Sequence, residues 1–205
     1  IDHAIIADHA AALLRLLEVG REITCTSPDG TNLVVHPGAH RWIARVGKVA
    51  PAESVVFPTG SVMVSPESVR GTFAATASLD EFFGARERLL REPILFDIDD
   101  GAVKKVRCAG CPELVRDVEA MLAVAPNSER VGLVVLGVNA GASLPLGTVA
   151  VDQHRPGLHL VLGDPQAKLT NAGWSARTSF AACQSTCSVQ VDGVPVVDDG
   201  RFVLA

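Results

Sequence analysis

The chain lacks any apolar run close to the ~20 residues of a membrane-spanning helix, so no such span is expected. It has no excess of basic charge: 18 Lys and Arg stand against 23 Asp and Glu, a net charge of −5, which disfavours a general nucleic-acid face. The local basic cluster Arg86, Arg88 and Arg91 alternates with Glu87 and Glu92 and reads as a solvated helix face. The first twenty residues are not expected to act as a secretory leader. They are apolar but interrupted by Asp2, His3, Asp8, His9, Arg15 and Glu18, whereas a leader needs a basic start and an unbroken apolar centre. A cytoplasmic location is therefore expected. Five cysteines make an odd number in a chain long enough to fold without staples, so free thiols are expected.

Hydrophobic residues reach 48% against 20% charged, which describes a globular chain, and 205 residues suit a single domain over 1–205. Residues 2–19 predict a helix, with Ile5, Ile6, Ala10, Leu13, Leu14 and Leu17 recurring at helical spacing and Gly20 as its stop. The period then shortens. Strands are predicted over 21–27, 32–36, 40–46, 54–57, 61–64, 69–78, 94–98, 102–108, 132–138 and 158–162, with a closing meander over 187–204. Asp99-Asp100-Gly101, Asp192-Gly193 and Asp198-Asp199-Gly200 read as hairpin turns. Residues 80–91 read as a short helix or an irregular insertion, and 112–122 as a second clear helix with Pro112 in its first turn. Short turns and few helices point to an α+β fold built on a mostly antiparallel sheet.

Most chemistry-bearing patterns have a simpler structural reading. Gly137-Val138-Asn139-Ala140-Gly141 lacks the Lys-Ser/Thr that completes a phosphate loop. Cys108-Ala109-Gly110-Cys111 has zinc-knuckle spacing, and Cys183 and Cys187 are the available extra thiolates, but the overall spacing matches no zinc ribbon. Buried or turn cysteines are the expectation, with a structural zinc site and a redox pair as the alternatives. His36 and His40 are separated by Pro37-Gly38, which breaks any helix that would align them, and His3 and His9 are expected on the surface of the first helix. No G-x-S-x-G is present. The paired carboxylates Asp99-Asp100 and Asp198-Asp199 belong to turns.

Five segments in order resemble one family. They are Thr26-Ser27-Pro28-Asp29-Gly30-Thr31-Asn32-Leu33, Phe57-Pro58-Thr59-Gly60-Ser61-Val62, residues 132–139, Leu158-His159-Leu160-Val161-Leu162-Gly163, and the Val191-Asp192-Gly193 to Phe202 meander. Together these are similar to the C-terminal, metal-bearing domain of aminopeptidase T-type metallopeptidases. The resemblance implies that fold, with no counterpart here of the family's N-terminal peptidase domain. It also implies that metal ligands have been replaced. The family's carboxylates fall at Ser61 and Leu133, its strand histidine at His159, and its His-x-Asp near Ser179-Phe180-Ala181. The chain has no tyrosine to match the family's own. Two clustered dications need several carboxylates, and one imidazole does not supply them. No metal or other cofactor is therefore expected, and no hydrolysis.

The resemblance thus implies a non-catalytic peptide-binding protein. Truncated aminopeptidase-like proteins occur in the biosynthesis of crocagin-type ribosomal peptides, which implies a precursor peptide as ligand and tailoring enzymes as partners. A homodimer is expected on the same ground. The candidate peptide-binding residues are Thr59, Ser61, Asn139, His159, Trp174, Arg177 and Ser179, with the glycines of 137–147 allowing close backbone approach. Each has a local alternative: a core histidine, backbone-capping polar groups, a packing tryptophan and a surface arginine. Two other readings stand beside peptide binding. One is a metal-independent enzyme with His159 as base and Ser61 or Ser179 as nucleophile, and the other is a scaffold subunit.

Overall fold

A computed structural model describes residues 3–47, 59–83 and 91–204. The strand expected over 54–57 and the cluster residues Arg86 and Arg88 lie outside that set. Helix α1 spans His3–Leu17 and buries Ile6, Ala10, Leu13 and Leu17, the i, i+4, i+7 stripe of an amphipathic helix. The Gly20 N–H donates to Leu16 O at 2.9 Å, closing the last turn. A Cβ on Gly20 would lie 2.6 Å from Val191 Cγ1, so the helix stop is also a packing requirement.

Two sheets form the body. Strands β1 (Ile23–Thr26), β2 (Asn32–His36), β5 (Ser68–Ala75), β7 (Ile94–Asp99), β8 (Ala102–Arg107), β12 (Ser188–Val191), β13 (Val194–Asp198) and β14 (Arg201–Phe202) make sheet A, ordered β14-β13-β12-β1-β2-β5-β7-β8. Strands β3 (Ile43–Arg45), β4 (Ser61–Val64), β6 (Ser78–Leu79), β9 (Val131–Gly137), β10 (Gly157–Gly163) and β11 (Ser179–Cys183) make sheet B, ordered β3-β4-β9-β10-β11-β6. All pairings among the described residues are antiparallel. Short helices α2 (Asp80–Phe83), α4 (Val149–Asp152) and α5 (Ala167–Thr170) accompany the longer α3 (Pro112–Leu122). The α+β expectation holds.

The hairpins follow from turn chemistry. Asp100-Gly101, Asp192-Gly193 and Asp199-Gly200 all have positive φ at both residues (51° and 69°, 48° and 81°, 45° and 74°), as the tight turn that matches strand twist requires. The single strand expected over 69–78 breaks at Thr76. The N–H groups of Thr76 and Ala77 both donate to Cys183 O, at 3.1 and 3.0 Å, and the chain passes there from β5 in sheet A to β6 in sheet B. Strand β11 and the helices α4 and α5 had no periodic signal. Between the sheets lies one continuous core that includes Phe96 and Phe180 at a ring separation of 6.3 Å.

Candidate functional site

Strands β4, β9 and β10 are buried at every position. A strand covered on one face would alternate, so sheet B is covered on both. On the inner face, Val134, Leu136, Leu158, Leu160, Leu162 and Phe180 join the main core. On the outer face, Met63, Leu133, Val135 and Val161 form a separate cluster with Ile43 and Ala181 against it. Cross-strand register makes this cluster: Met63 faces Val135, Leu133 faces Val161, and Val161 faces Ala181.

This cluster floors a cavity of about 250 Å³ whose rim carries Arg45, Asp80, Glu81, Gln153, Gln166 and Ser179. Arg45 belongs to edge strand β3, while Asp80 and Glu81 follow the opposite edge strand β6. Residues from both edges line one cavity, so the sheet curls and its outer face is concave. The rim is polarised, with a guanidinium from one edge and two carboxylates from the other. Arg45 donates through a terminal guanidinium nitrogen to Gln166 Oε1 at 3.2 Å. Glu81 Oε1 accepts from Thr148 Oγ1 at 2.9 Å and from Ala150 N at 3.3 Å.

The rest of the outer face is roofed by the chain itself. Asp152 is fully buried, and its carboxylate accepts the N–H groups of Leu146 and Gly147 at 2.8 and 2.9 Å, pinning the glycine-rich loop. Beyond it, His154 O accepts the Asn139 N–H at 2.9 Å. A Cβ on Gly137 would collide with the Arg155 carbonyl oxygen. The close approach expected of a ligand at Gly137 is therefore made by the protein's own backbone.

The predicted site residues divide. Ser61, Leu133, His159 and Ser179 come from four adjacent strands and share the outer face. Ser179 and Leu133 line the cavity, whereas Ser61 and His159 are buried. Thr59 donates to Arg45 O at 2.7 Å, and Asn139 Nδ2 donates to Thr59 O at 2.9 Å, so both fasten the strand edge as backbone-capping groups do. Neither they, Trp174 nor Arg177 lines the cavity. Trp174 instead lies under the Arg130 guanidinium, 4.2 Å from its ring centroid, and Arg177 is exposed. His9 was expected on the surface. It is half-buried, donates from Nδ1 to Val138 O at 3.1 Å, and stacks on Phe202 at 4.3 Å. Sequence reasoning missed Arg45, Gln153 and Gln166, which carry no motif.

His159 Nε2 bonds to Arg155 O at 3.1 Å, which fixes the proton there, and Nδ1 accepts the Gln184 N–H at 3.4 Å. Burial, joined by the charges of Arg155 and His154, pushes its pKa down to about 4. Burial and the Arg45 charge push His154 down to about 4. Both imidazoles are neutral near pH 7. Ser61 Oγ and His154 Nδ1 are buried without a hydrogen-bond partner among the described residues. They lie in one corner: Ser61 is the register partner of Arg45, whose charge reaches His154.

No protein-family model matches the chain, and no match is found among curated protein sequences. Solved structures do match. The 2,5-dihydroxypyridine dioxygenase from Pseudomonas putida KT2440 superposes with a TM-score of 0.77 at 17% identity, over 98% of this chain and 60% of that one. Wild-type AmpT from Thermus thermophilus superposes with a TM-score of 0.71 at 18% identity, over 95% of this chain and 53% of that one. The fold is aminopeptidase T-like. The chain spans little more than half the length of these two neighbours, both of which are enzymes.

Proposed function

We propose that this chain is a non-catalytic peptide-binding protein that holds an extended peptide against the concave face of sheet B. The observation that carries the reading is the cavity: an apolar floor of Met63, Leu133, Val135 and Val161 under a rim with Arg45 on one side and Asp80 and Glu81 on the other. An apolar side chain fits the floor, while the rim offers partners for backbone amides and for charges of either sign. Ser61 Oγ and His154 Nδ1 supply further buried polar atoms for a ligand that reaches beneath Arg45. On this reading Leu133 stands where the family has a carboxylate ligand, and its hydrocarbon side chain offers a dication nothing. Both ring nitrogens of His159 are engaged by backbone groups, which argues against its use as a base toward Ser61 or Ser179. The resemblance to aminopeptidase-like proteins of ribosomal-peptide biosynthesis makes a precursor peptide, presented to tailoring enzymes, the ligand class to try first.

The test is an array of 15-residue peptides tiled over ribosomal precursor sequences, read with labelled protein and followed by mass spectrometry of the captured peptides. Micromolar binding, peptides recovered intact, and at least a tenfold loss on Ala181→Arg, which projects a long cation over the floor, are expected. No retained peptide, or peptides recovered cleaved, would overturn the proposal.

A further inference from the structure

A second site lies at the end of the β7–β8 hairpin, away from the sheet-B cavity residues. The hairpin register pairs Leu95 with Arg107. Continuing it outward brings Glu92, just before β7, across from the Cys108-Ala109-Gly110-Cys111 turn that follows β8. The Glu92 carboxylate and the two sulfurs lie within 4.8 Å of one another. Glu92 Oε2 is 3.1 Å from Cys111 Sγ and 3.8 Å from Cys108 Sγ. The edges of a zinc tetrahedron, from metal–sulfur bonds of about 2.3 Å and metal–oxygen bonds of about 2.0 Å, are about 3.5 to 3.8 Å long. The two carboxylate–sulfur distances bracket that edge, and the sulfurs lie within 4.8 Å of each other.

The surroundings are built to this arrangement. A Cβ on Gly110 would collide with both carboxylate oxygens of Glu92, so only glycine lets the carboxylate sit over the turn. The Gly110 amide also donates to the Cys108 sulfur. Cys111 occupies the N-cap position of the eleven-residue helix α3 and makes no side-chain cap bond. Its sulfur stands at the N-terminal end of that helix, beside the Glu92 carboxylate.

We infer that Glu92, Cys108 and Cys111 form a binding site for a thiophilic divalent cation of the zinc type, with two thiolates, one carboxylate and a fourth position left to water or a small ligand. Glu92 and Cys108 line a cavity of about 550 Å³, which gives that position a route to solvent. The expectation of no metal drawn from the sequence concerned the family's site on sheet B; this site is different. The cysteines considered as its other ligands are placed elsewhere: Cys183 lies on β11, and Cys187 contacts Cys25. Glu92, hidden in the sequence among alternating charges, takes their place.

Cobalt(II) titration of the whole chain tests this, after reduction under nitrogen and confirmation of five free thiols. A thiolate-to-cobalt charge-transfer band that saturates at one equivalent and is displaced by zinc is expected. Cys108→Ser and Cys111→Ser should each abolish the saturable band, and Cys183→Ser should leave it intact. Glu92→Gln and Gly110→Ala should weaken cobalt binding at least tenfold, the latter by displacing the carboxylate. Circular dichroism checks the fold of each variant, and Glu92→Gln alone decides the case if a cysteine variant does not fold. No saturable band in the reduced protein, a band that survives loss of Cys108 or Cys111, or binding unchanged in Glu92→Gln would overturn the inference.

Discussion

Sheets A and B are built from the same kinds of residue but present different second faces. Sheet A strands alternate: β2 runs exposed, buried, half-buried, buried, exposed, and β7 alternates buried with half-buried positions until its exposed end. Sheet B strands β4, β9 and β10 are buried throughout. A sheet covered by one core spends its other face on water. A sheet covered twice must receive its second cover from somewhere, and here it comes from α4, the His154-Arg155 backbone and the rim around an apolar floor. The incompletely filled part of that second cover is the candidate site.

This contrast can be broken or sharpened by experiment. Phe180→Ala removes the inner-face ring of sheet B that packs edge-on to Phe96 of sheet A. It is expected to cost about 3–5 kcal/mol by urea unfolding. Met63→Ala, on the outer face, is expected at the lower end, about 2 kcal/mol, because its cluster already adjoins a cavity. An equal or larger loss at Met63 would mean that the outer face is packed like the core.

The pH dependence comes next. His154 and His159 both titrate near 4 in the folded chain, below the ordinary 6.5, so the unfolded chain takes up their protons first. Their contribution to stability is full above about pH 6.5, is lost as pH falls toward about 4, and levels off below. The slope in that window is on the order of 1 kcal/mol per pH unit for each histidine. Unfolding midpoints at pH 7, 6 and 5 measure it, and His159→Gln should remove a large share. A flat profile over that range would show that both rings are hydrated.

The smallest effect belongs to sheet A. Asp97 accepts Arg107 Nε at 2.8 Å, and that hydrogen-bonded guanidinium holds its carboxyl below the ordinary value. The pair is partly exposed, at 33% and 42% of side-chain area. Water and salt screen it, and Asp97→Ala is expected to cost no more than about 1 kcal/mol by urea unfolding. A larger loss would mean that the solvent face of sheet A contributes to the fold on a par with the outer face of sheet B.

Much of the fold was legible because its signals are local. Helices α1 and α3 declared themselves through apolar spacing, and the three Asp-Gly turns through the residues that tolerate positive φ. The break between β5 and β6 was not legible, because its cause is Cys183 O, more than a hundred residues away in the chain. Strand β11 carried no clear alternation: Ser179 faces the cavity while Phe180 enters the core. The site was half legible. The resemblance directed attention to Ser61, Leu133, His159 and Ser179, which do share one face. Arg45, Gln153 and Gln166 were invisible, since single polar residues on a short strand, after a helix turn and in a loop form no pattern.

The sequence by itself therefore determined the class of fold, the longer helices, most of the strands and the order in which they occur. Periodicity and turn chemistry act within a few residues, and the chain needs no partner to express them. Only the tertiary structure decided which face of sheet B keeps a cavity, that Gly137 admits the protein's own Arg155 carbonyl, and that Glu92 joins Cys108 and Cys111. Each of these depends on segments brought together by strand pairing, and pairing register is set by the burial of whole faces rather than by any residue near the site.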